Sequence, residues 1–493
     1  MKKIIIIGGG IAGLSAGIHA QQYGFESVIY EKHSIVGGQC TGWDRKGYHI
    51  DNCIHWLTGT KEGTELNNLW KNVGALDGVE LIQLDNFGTY EYEGTAITLW
   101  KDIDRLQREL IQLSPKDSGA INEFISDIRG AQGMNMPADL PVSMLSLIKL
   151  LKLGITMKGA AGVIKKTSKF TCEEYAKRFH HPALRYMFDA SMPSRYSIVA
   201  LIFGLATFTG GNGAIPKDGS KAMALRMEKR YQELGGKVIQ NVAAEEIITE
   251  KKQATAVRFS DGSTMKADYV IAACDTKVTF DKLLKGKYKD KKFEMRYHDP
   301  VNYFLPSSVQ VAFGVSADLS GYPSTLIFPT KPYQVAGREC ERVGLRNYSY
   351  EKTYAPEGCT VIISLINQSN KDYPYWEKLY QDKEAYRNEK QRIANELQQR
   401  IEERFPELSG KISLLDVTTP MTYNRYTDAY QGAWMSFMMT PETKMMNHSG
   451  KIKGLNNCYL TGQWLQPPGG LPVAVTTGKF TVLRICKREK IAI

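Results

Sequence analysis

An aliphatic run that ends in a glycine-rich turn constrains this chain more than any other stretch. The four isoleucines at positions 4–7 meet the pattern Gly8-x-Gly10-x-x-Gly13, where a buried parallel strand should pass into a helix. Gly8 allows a tight backbone reversal, Gly10 has no side chain to block a diphosphate, and Gly13 lets helix and strand approach closely. The unpaired amides at the start of that helix favour an anion. The stretch therefore predicts a dinucleotide-binding βαβ unit.

The residues after the turn fit the same unit. A helical segment ends near Gly24, and residues 27–30 form an apolar second strand. Glu31 follows that strand, eighteen residues after Gly13. An acid at this place can accept hydrogen bonds from a ribose diol, which strengthens the prediction.

Two other interpretations of the N-terminus are weaker. Lys2 and Lys3 before an apolar run resemble a secretory signal, but three consecutive glycines interrupt the run and the βαβ pattern continues through it. Gly13-x-Ser15-x-Gly17 matches a hydrolase nucleophile elbow, which needs its serine at the corner between strand and helix. Ser15 falls inside the helix, so we expect a packing residue.

Composition limits the number of domains and the kinds of partner that this chain can have. A chain of 493 residues with 43% hydrophobic residues can bury a large core and most simply forms two domains. No apolar run is long enough to span a bilayer, which takes about 18 to 20 residues. The net charge of +11 comes from scattered Lys and Arg residues that often neighbour acids, as on a solvated surface. We therefore expect no nucleic-acid partner.

The cysteine pattern argues against a disulfide framework and against a metal site. The eight cysteines include no Cys-x-x-Cys pair, so they read as reduced thiols of a cytoplasmic protein. His49, Cys53 and His55 form the only tight His/Cys group, and no fourth ligand lies at a spacing that suits zinc. We expect no metal.

Both ends of the chain resemble one family. A second glycine pair, Gly37-Gly38, and a strand ending at Asp51 follow Glu31, and this pattern resembles flavin-dependent amine oxidases and phytoene desaturases. The C-terminal segment 458–474, with Gly462 and Gly470, is similar to the closing flavin-binding segment of the carotenoid desaturase, carotenoid isomerase and retinol saturase group.

The chain departs from the family pattern at a few positions. Gln39 and Gln463 stand where many relatives carry a basic and an acidic residue, and Cys53 stands where glycine is usual. The segment 467–470, Pro-Pro-Gly-Gly, also differs from the motif of the desaturases. These differences favour an isomerase-like, saturase-like or uncharacterised branch.

The resemblance implies that the cofactor is FAD. The chain has a single dinucleotide turn, whereas a second one would be expected for a dedicated NAD(P)H site, so an electron donor or acceptor must come from outside. The cofactor-binding residues that the motifs and the resemblance imply are Gly8, Gly10, Ile11, Ala12, Gly13, Glu31, Lys32, Gly37, Gly38, Gln39, His55, Trp56, Val242, Gly462, Gln463, Gly470, Leu471 and Pro472.

The expected fold class is α/β, with a Rossmann-like FAD-binding domain of the glutathione-reductase type and an inserted substrate domain of mixed sheet and helices. The FAD-binding domain is predicted to be discontinuous, over 1–75, 215–290 and 450–493, and the substrate domain to comprise 76–214 and 291–449. A hairpin at Asp261-Gly262 is predicted to join two strands at 256–259 and 267–273. A single amphipathic helix is predicted over 377–405.

One inserted stretch allows two interpretations. Residues 142–157 place serines, lysines and a threonine on a narrow polar face of an otherwise apolar helix, and four lysines follow at positions 158–169. Such a helix suits a membrane interface, with its lysines among headgroups, or a roof over the substrate domain. The roof is slightly favoured, and peripheral membrane association of a cytoplasmic protein stays open.

The resemblance also implies the chemistry. Its members desaturate, saturate or isomerise carbon–carbon double bonds of apolar polyenes or lipids, and His55 would lie beside the flavin as a candidate proton donor. Methionines and aromatics of the insertions would line the substrate tunnel: Met187, Phe188, Met192, Phe203, Phe208, Trp434, Met435, Phe437, Met438 and Met439.

Two other functions fit the same fold. A flavin amine oxidase would typically place a lysine near the flavin, and no lysine stands out. A non-catalytic prenyl-binding or lipid-binding escort of the same fold would depart from the dinucleotide fingerprint, which is intact here.

Overall fold

The computed structural model describes residues 2–193 and 195–493. Its strands are β1 (Lys3–Ile7), β2 (Glu26–Tyr30), β3 (Gly42–Arg45), β4 (Tyr48–Asp51), β5 (Leu57–Thr58), β6 (Leu81–Ile82), β7 (Asn86–Tyr92), β8 (Thr95–Trp100), β9 (Gly213–Pro216), β10 (Lys237–Ile239), β11 (Ala244–Glu250), β12 (Gln253–Phe259), β13 (Thr264–Lys266), β14 (Tyr269–Ala272), β15 (Pro306–Val315), β16 (Thr325–Val335), β17 (Arg338–Asn347), β18 (Thr360–Ser369), β19 (Ile412–Thr418) and β20 (Cys458–Leu460). Its α-helices are α1 (Ile11–Gln22), α2 (Glu65–Asn72), α3 (Ile103–Leu113), α4 (Ser118–Ala131), α5 (Leu147–Thr167), α6 (Cys172–Ala176), α7 (Pro182–Ser191), α8 (Val199–Thr209), α9 (Gly219–Glu233), α10 (Thr276–Val278), α11 (Lys291–Tyr297), α12 (Tyr373–Gln381), α13 (Lys383–Arg404), α14 (Pro420–Thr427) and α15 (Leu471–Glu489).

A parallel five-stranded sheet of order β10-β2-β1-β14-β20 carries the N-terminal turn. β1 lies at its centre, and the isoleucines at 4–7 are buried, which explains why this strand is continuously aliphatic. α1 and α15 pack together on the sheet. The Ser15 hydroxyl donates a 2.6 Å hydrogen bond to the carbonyl of Val475 in α15, so Ser15 is a packing residue as expected.

A mixed seven-stranded sheet of order β19-β15-β18-β17-β16-β7-β8 forms the second large layer. Only the β16–β7 pair of this sheet runs parallel among the described strands. One face packs under α13, with Phe313 and Leu397 in the same core. The other face meets the two-stranded sheet β3-β4, where Tyr48 of β4 packs against Gly314.

A small third sheet has the order β5-β9-β6. β9 pairs with β5 through Leu57 and Ala214, and with β6 through Leu81 and Pro216. Segments from both sides of the predicted boundaries at 75 and 215 thus share one sheet. The domain boundaries stay a prediction.

Two local expectations were wrong. The hairpin at Asp261-Gly262 joins β12 to the short antiparallel strand β13, while β14 belongs to the parallel sheet beside β1. The helix predicted over 377–405 is two helices, because Asp382 ends α12 and caps α13, accepting hydrogen bonds from the amides of Glu384 and Ala385.

The expectation that residues 142–157 roof the substrate domain was also wrong. The first three turns of α5 contain no buried residue, and the buried positions of the helix are Ala160, Val163 and Thr167. Leu147 is 73% exposed and Ile155 is 76% exposed. This part of the helix extends its apolar side chains into solvent. No helix of the described residues is long and apolar enough to cross a bilayer.

Candidate cofactor site and active-site cavity

The glycines of the first turn have separate structural roles. Gly8 has φ +102°, and its amide donates to the carbonyl of Tyr30 at the end of β2. A Cβ at Gly13 would lie 2.0 Å from the Gly8 carbonyl oxygen, so only glycine fits there. A Cβ at Gly10 would meet nothing nearer than the Gly37 carbonyl oxygen at 3.9 Å. Gly13 is thus required by packing, while the space above Gly10 is open for a ligand.

The second glycine pair forms the other wall of this groove. The Gly37 amide donates to the Gly9 carbonyl at 2.9 Å, and Gly10 and Gly37 form a parallel bridge. Gly37 and Gly38 have φ values of +110° and +58°, which favour glycine. The groove is therefore lined by bare main chain, where a diphosphate can approach closely.

Glu31 follows β2 and is buried. Its carboxylate accepts hydrogen bonds from the amide of Gly9 at 2.7 Å and from the amide of His33 at 3.0 Å. The Val242 amide donates to the Glu31 carbonyl oxygen at 3.0 Å, which brings the segment after β10 beside the same place. Glu31 and Val242 thus lie together at the end of the groove expected to take the adenosine.

Lys32 and Gln39 contact the segment that follows α14. The Lys32 ammonium forms an ion pair with Asp428 at 3.0 Å, and the Gln39 side-chain amide donates to the carbonyl of Ala433 at 2.8 Å. Both residues therefore fasten the chain after β2 to residues 428–433.

The C-terminal segment adopts the predicted strand, turn and helix. β20 leads to Gly462 with φ +121°, and α15 begins at Leu471 with Pro472 in its first turn. The side-chain oxygen of Gln463 accepts a hydrogen bond from the Gly470 amide at 3.1 Å. Gln463 thus holds the loop that precedes α15.

The groove fits FAD. α1 and α15 both begin without a side-chain cap and without an acidic residue in the first turn, so their N-terminal amides and positive dipole ends are uncompensated. A Cβ at Gly462 would meet only the Ala12 side chain at 3.8 Å, which leaves open space there as at Gly10. Two open helix N-termini on one bare main-chain groove suit a diphosphate near α1 and an electron-rich ring near α15.

A small cavity lies beside His55 and Trp56. Trp56 packs against Phe87 with ring centroids 4.8 Å apart, and Phe87 packs against Phe208 at 5.9 Å. This aromatic wall makes much of the cavity apolar. The remaining lining residues are Ile82, Leu84, Asn86, Gly213, Ala214, Ile215, Thr325 and Arg346.

His55 is a neutral imidazole in this cavity. Burial lowers its pKa well below the ordinary value, and the nearby positive charge of Arg346 lowers it further. A neutral ring can accept a proton or donate a hydrogen bond, but it holds no imidazolium proton at neutral pH. Its assignment as the catalytic acid stays a prediction.

Sequence reasoning missed the polar residues of this cavity. Arg346 and Thr325 are paired across β17 and β16, and Asn86 begins β7. No motif surrounds any of the three, and an arginine in an alternating strand gives no sign that it faces a cavity. Of the tunnel residues predicted from the insertions, Phe208 lines the cavity, whereas Met187 and Phe188 are buried in the helical core.

Comparisons with known proteins agree with this geometry. The family model described as flavin containing amine oxidoreductase matches residues 11–486. This chain belongs to that family. It is an FAD-dependent oxidoreductase, and the bare groove between α1 and Gly37 is the part of the site that fits the cofactor.

Relatives of this flavin oxidoreductase match it along its whole length. A phytoene desaturase (lycopene-forming) of Pseudescherichia vulneris is 23% identical, over 98% of both chains. A 4,4'-diaponeurosporene oxygenase of Staphylococcus aureus is 22% identical, over 99% of both chains. An oxidoreductase from Methanosarcina mazei has the same fold, with a TM-score of 0.61 and 17% identity over 98% of this chain and 100% of its own.

Proposed function

We propose that this flavin oxidoreductase acts on carbon–carbon double bonds of an apolar polyene or lipid, by desaturation, saturation or cis–trans isomerisation. The cavity walled by Trp56, Phe87 and Phe208 carries the proposal. Substrates of this kind offer few polar groups, so they bind mainly through apolar area, at roughly 25 cal/mol per Å². The full-length match to a phytoene desaturase supports the same substrate class.

The proposed cofactor-binding residues are those that line the groove and the two helix starts. The diphosphate is bound by Gly8, Gly10, Ile11, Ala12, Gly13, Gly37 and Gly38, and the adenosine by Glu31 and Val242. The flavin end is bound by Gly462, Gln463, Gly470, Leu471 and Pro472. The borders of the site are formed by Lys32, Gln39, His55 and Trp56. Bound FAD supplies hydride exchange with the substrate. The protein orients the substrate, excludes water with the aromatic wall and keeps His55 neutral. An electron partner, where one is needed, approaches from solution.

The charge of the cavity disfavours an amine substrate. Arg346 lines the cavity together with a neutral His55, and no Lys, Asp or Glu of residues 2–193 and 195–493 lines it. A substrate ammonium would meet a like charge without a carboxylate to offset it. Carbon–carbon chemistry on a chain that carries no ammonium group avoids this repulsion.

A direct assay separates these functions. The FAD-loaded protein would be incubated without oxygen with phytoene or 4,4'-diapophytoene in liposomes, and separately with putrescine, while flavin absorbance is recorded. The products would be analysed by mass spectrometry for a change of two hydrogens or for isomers of unchanged mass. A polyene product without bleaching by putrescine supports the proposal. Bleaching by putrescine alone, or no product from any polyene in either redox state of the flavin, contradicts it.

The proposal includes docking on a membrane that stores such a substrate. The exposed face of α5 carries Leu147, Ile148, Leu151 and Ile155, all more than 60% exposed. Side chains of this kind gain free energy when they enter the boundary between headgroups and acyl chains. The lysines of α5 would remain among the headgroups.

A basic groove beside this helix favours an anionic bilayer. Ser143 and Met144, just before α5, line it together with five basic residues: Lys451, Lys453, Arg484, Lys487 and Arg488. No acidic side chain of the part of the chain that the structure describes lines the groove. The apolar helix can contact acyl chains while the positive groove beside it contacts the anionic headgroups of the same membrane.

A further inference from the structure

Arg346 is an arginine without an acidic partner inside the active-site cavity. Arg346 is one of the residues that line the cavity, and burial lowers the pKa of its guanidinium. The groups that act on its charge are the tyrosines Tyr90, Tyr348 and Tyr350, and no aspartate or glutamate of residues 2–193 and 195–493 pairs with it.

Its neighbours on the same strand behave differently. Arg338 forms an ion pair with Asp372 at 2.8 Å, and Arg342 forms one with Asp189 at 2.6 Å. A desolvated charge is costly unless it is paired, so Arg346 lacks the compensation that its strand neighbours have. An anion that enters the cavity would supply it.

Asn86 gives a second, independent indication of a polar ligand. Its side-chain oxygen is buried and has no hydrogen-bond partner, although it lines the same cavity. A side-chain amide can present either its oxygen or its NH₂ group to a ligand. Thr325, which pairs with Arg346 across β16 and β17, adds a hydroxyl to the lining.

The flavin itself is a weaker explanation for the unpaired charge. His55 and Trp56, at the border of the proposed flavin site, line this cavity, but among the described residues none of Gly10, Gly38, Gly462 and Gly470 does. The open amides at the start of α15 already face the flavin end of the groove. Arg346 belongs to the seven-stranded sheet and lines the same cavity as the aromatic wall. A diphosphate is also disfavoured, because Arg346 is the only Lys or Arg among the lining residues that the structure describes.

We infer that Arg346 binds a carboxylate at one end of the lipid substrate, with Asn86 as a second hydrogen-bonding partner, and so sets which carbon–carbon bond reaches the flavin. Arginine suits a carboxylate because its planar fork can donate two parallel hydrogen bonds. The apolar body of the same molecule would lie against Trp56, Phe87 and Phe208. The inference rests on the proposed function and narrows its substrate to an unsaturated acid.

The test compares an acid with its uncharged ester. cis-Parinaric acid and its methyl ester share one fluorescent polyene, and their binding to the FAD-loaded protein is measured by fluorescence titration. We expect wild-type protein to bind the acid about tenfold or more tighter than the ester, and Arg346→Gln to remove this preference while ester binding is unchanged. Arg346→Lys should keep part of the preference. Arg338→Gln, the same change at an exposed position of β17, should keep all of it.

Equal affinity of wild-type protein for acid and ester would overturn the inference, and this result needs no variant to fold. The inference would also be overturned if Arg346→Gln left the acid-to-ester affinity ratio unchanged and shifted the flavin reduction potential instead. That result would assign Arg346 to the cofactor. The acid-to-ester ratio does not depend on turnover. An intact ratio without turnover of the hydrocarbon polyenes or of parinaric acid would therefore reject the reaction while leaving the carboxylate site standing.

Discussion

The carboxylate of Glu31 accepts a 2.7 Å hydrogen bond from the amide of Gly9. The acid that is expected to hold the ribose therefore also holds the glycine turn in place, since its other oxygen accepts from the His33 amide. Cofactor binding and the shape of the turn are coupled through one buried side chain.

Replacing Glu31 should weaken both functions. We expect Glu31→Ala to lower FAD affinity about tenfold and the free energy of unfolding by about 1–3 kcal/mol, because buried amides lose their acceptor. Glu31→Gln should have a smaller effect on stability, since its side-chain oxygen can still accept from Gly9. Flavin fluorescence titration of apoprotein and urea unfolding give the two values. Glu26→Gln, at the exposed start of the same strand, is the control. Unchanged FAD affinity in Glu31→Ala would refute the ribose role.

Gly10 and Gly13 should respond differently to alanine. A Cβ at Gly13 would lie 2.0 Å from the Gly8 carbonyl oxygen, so Gly13→Ala should destabilise the apoprotein by about 1–3 kcal/mol or more. A Cβ at Gly10 has open space, and the φ of −69° at this residue is normal for alanine. Gly10→Ala should leave apoprotein stability unchanged and lower FAD affinity about tenfold or more, because the methyl group enters the diphosphate groove. Thermal unfolding with and without FAD separates the two effects. If Gly10→Ala bound FAD as tightly as wild-type protein does, the diphosphate would not lie over Gly10.

The exposed face of α5 should control membrane binding. Each leucine or isoleucine that enters a bilayer contributes roughly 1.5–3 kcal/mol, so Leu151→Glu with Ile155→Glu should lower vesicle binding more than tenfold. The melting temperature should not change, because both side chains are mostly exposed. Co-sedimentation with phosphatidylcholine vesicles containing phosphatidylglycerol measures the effect. Met295→Glu, an exposed apolar residue of α11, is the matched control. Binding that survives the double change, or that is equal on vesicles without phosphatidylglycerol, would contradict the proposed docking surface.

His19 should make the protein acid-sensitive. Burial lowers its pKa to about 4, and its ring donates to the Ser15 carbonyl at 2.7 Å. The folded state therefore resists protonation, whereas the unfolded chain takes up a proton near pH 6.5. The buried neutral ring therefore contributes fully to the free energy of unfolding above pH 6.5. This contribution, about 3 kcal/mol, is lost as the pH falls from 6.5 towards 4.

Urea unfolding of wild-type protein and of His19→Gln across this pH window tests the effect. The variant should show a shallower loss of stability on acidification, whatever its stability at neutral pH. His298→Gln, at an exposed position, should follow the wild-type curve. A His19→Gln curve parallel to wild type would contradict the assignment.

Much of the cofactor groove could be predicted because its signals are local. Gly8, Gly10 and Gly13 restrict the backbone within a few residues, and Asp51 ends β4 as expected. Local signals also failed in places. Asp382 is a strong N-cap that divides the predicted helix of 377–405 in two. The short strand β13 was not predicted, so the hairpin at 261–262 was assigned to the strand that follows it.

The sequence alone determined the βαβ turn, the acid after β2 and the second glycine-rich helix start, because the necessary residues are neighbours in the chain and their backbone preferences act at short range. Only the tertiary structure decided which side chains face the cavity and which face of α5 is left uncovered. Asn86, His55 and Arg346 come from β7, the loop after β4 and β17, and strand pairing brings them together across more than 200 residues of chain. These three side chains share one desolvated cavity because folding buries them together, and no local stretch of sequence contains that information.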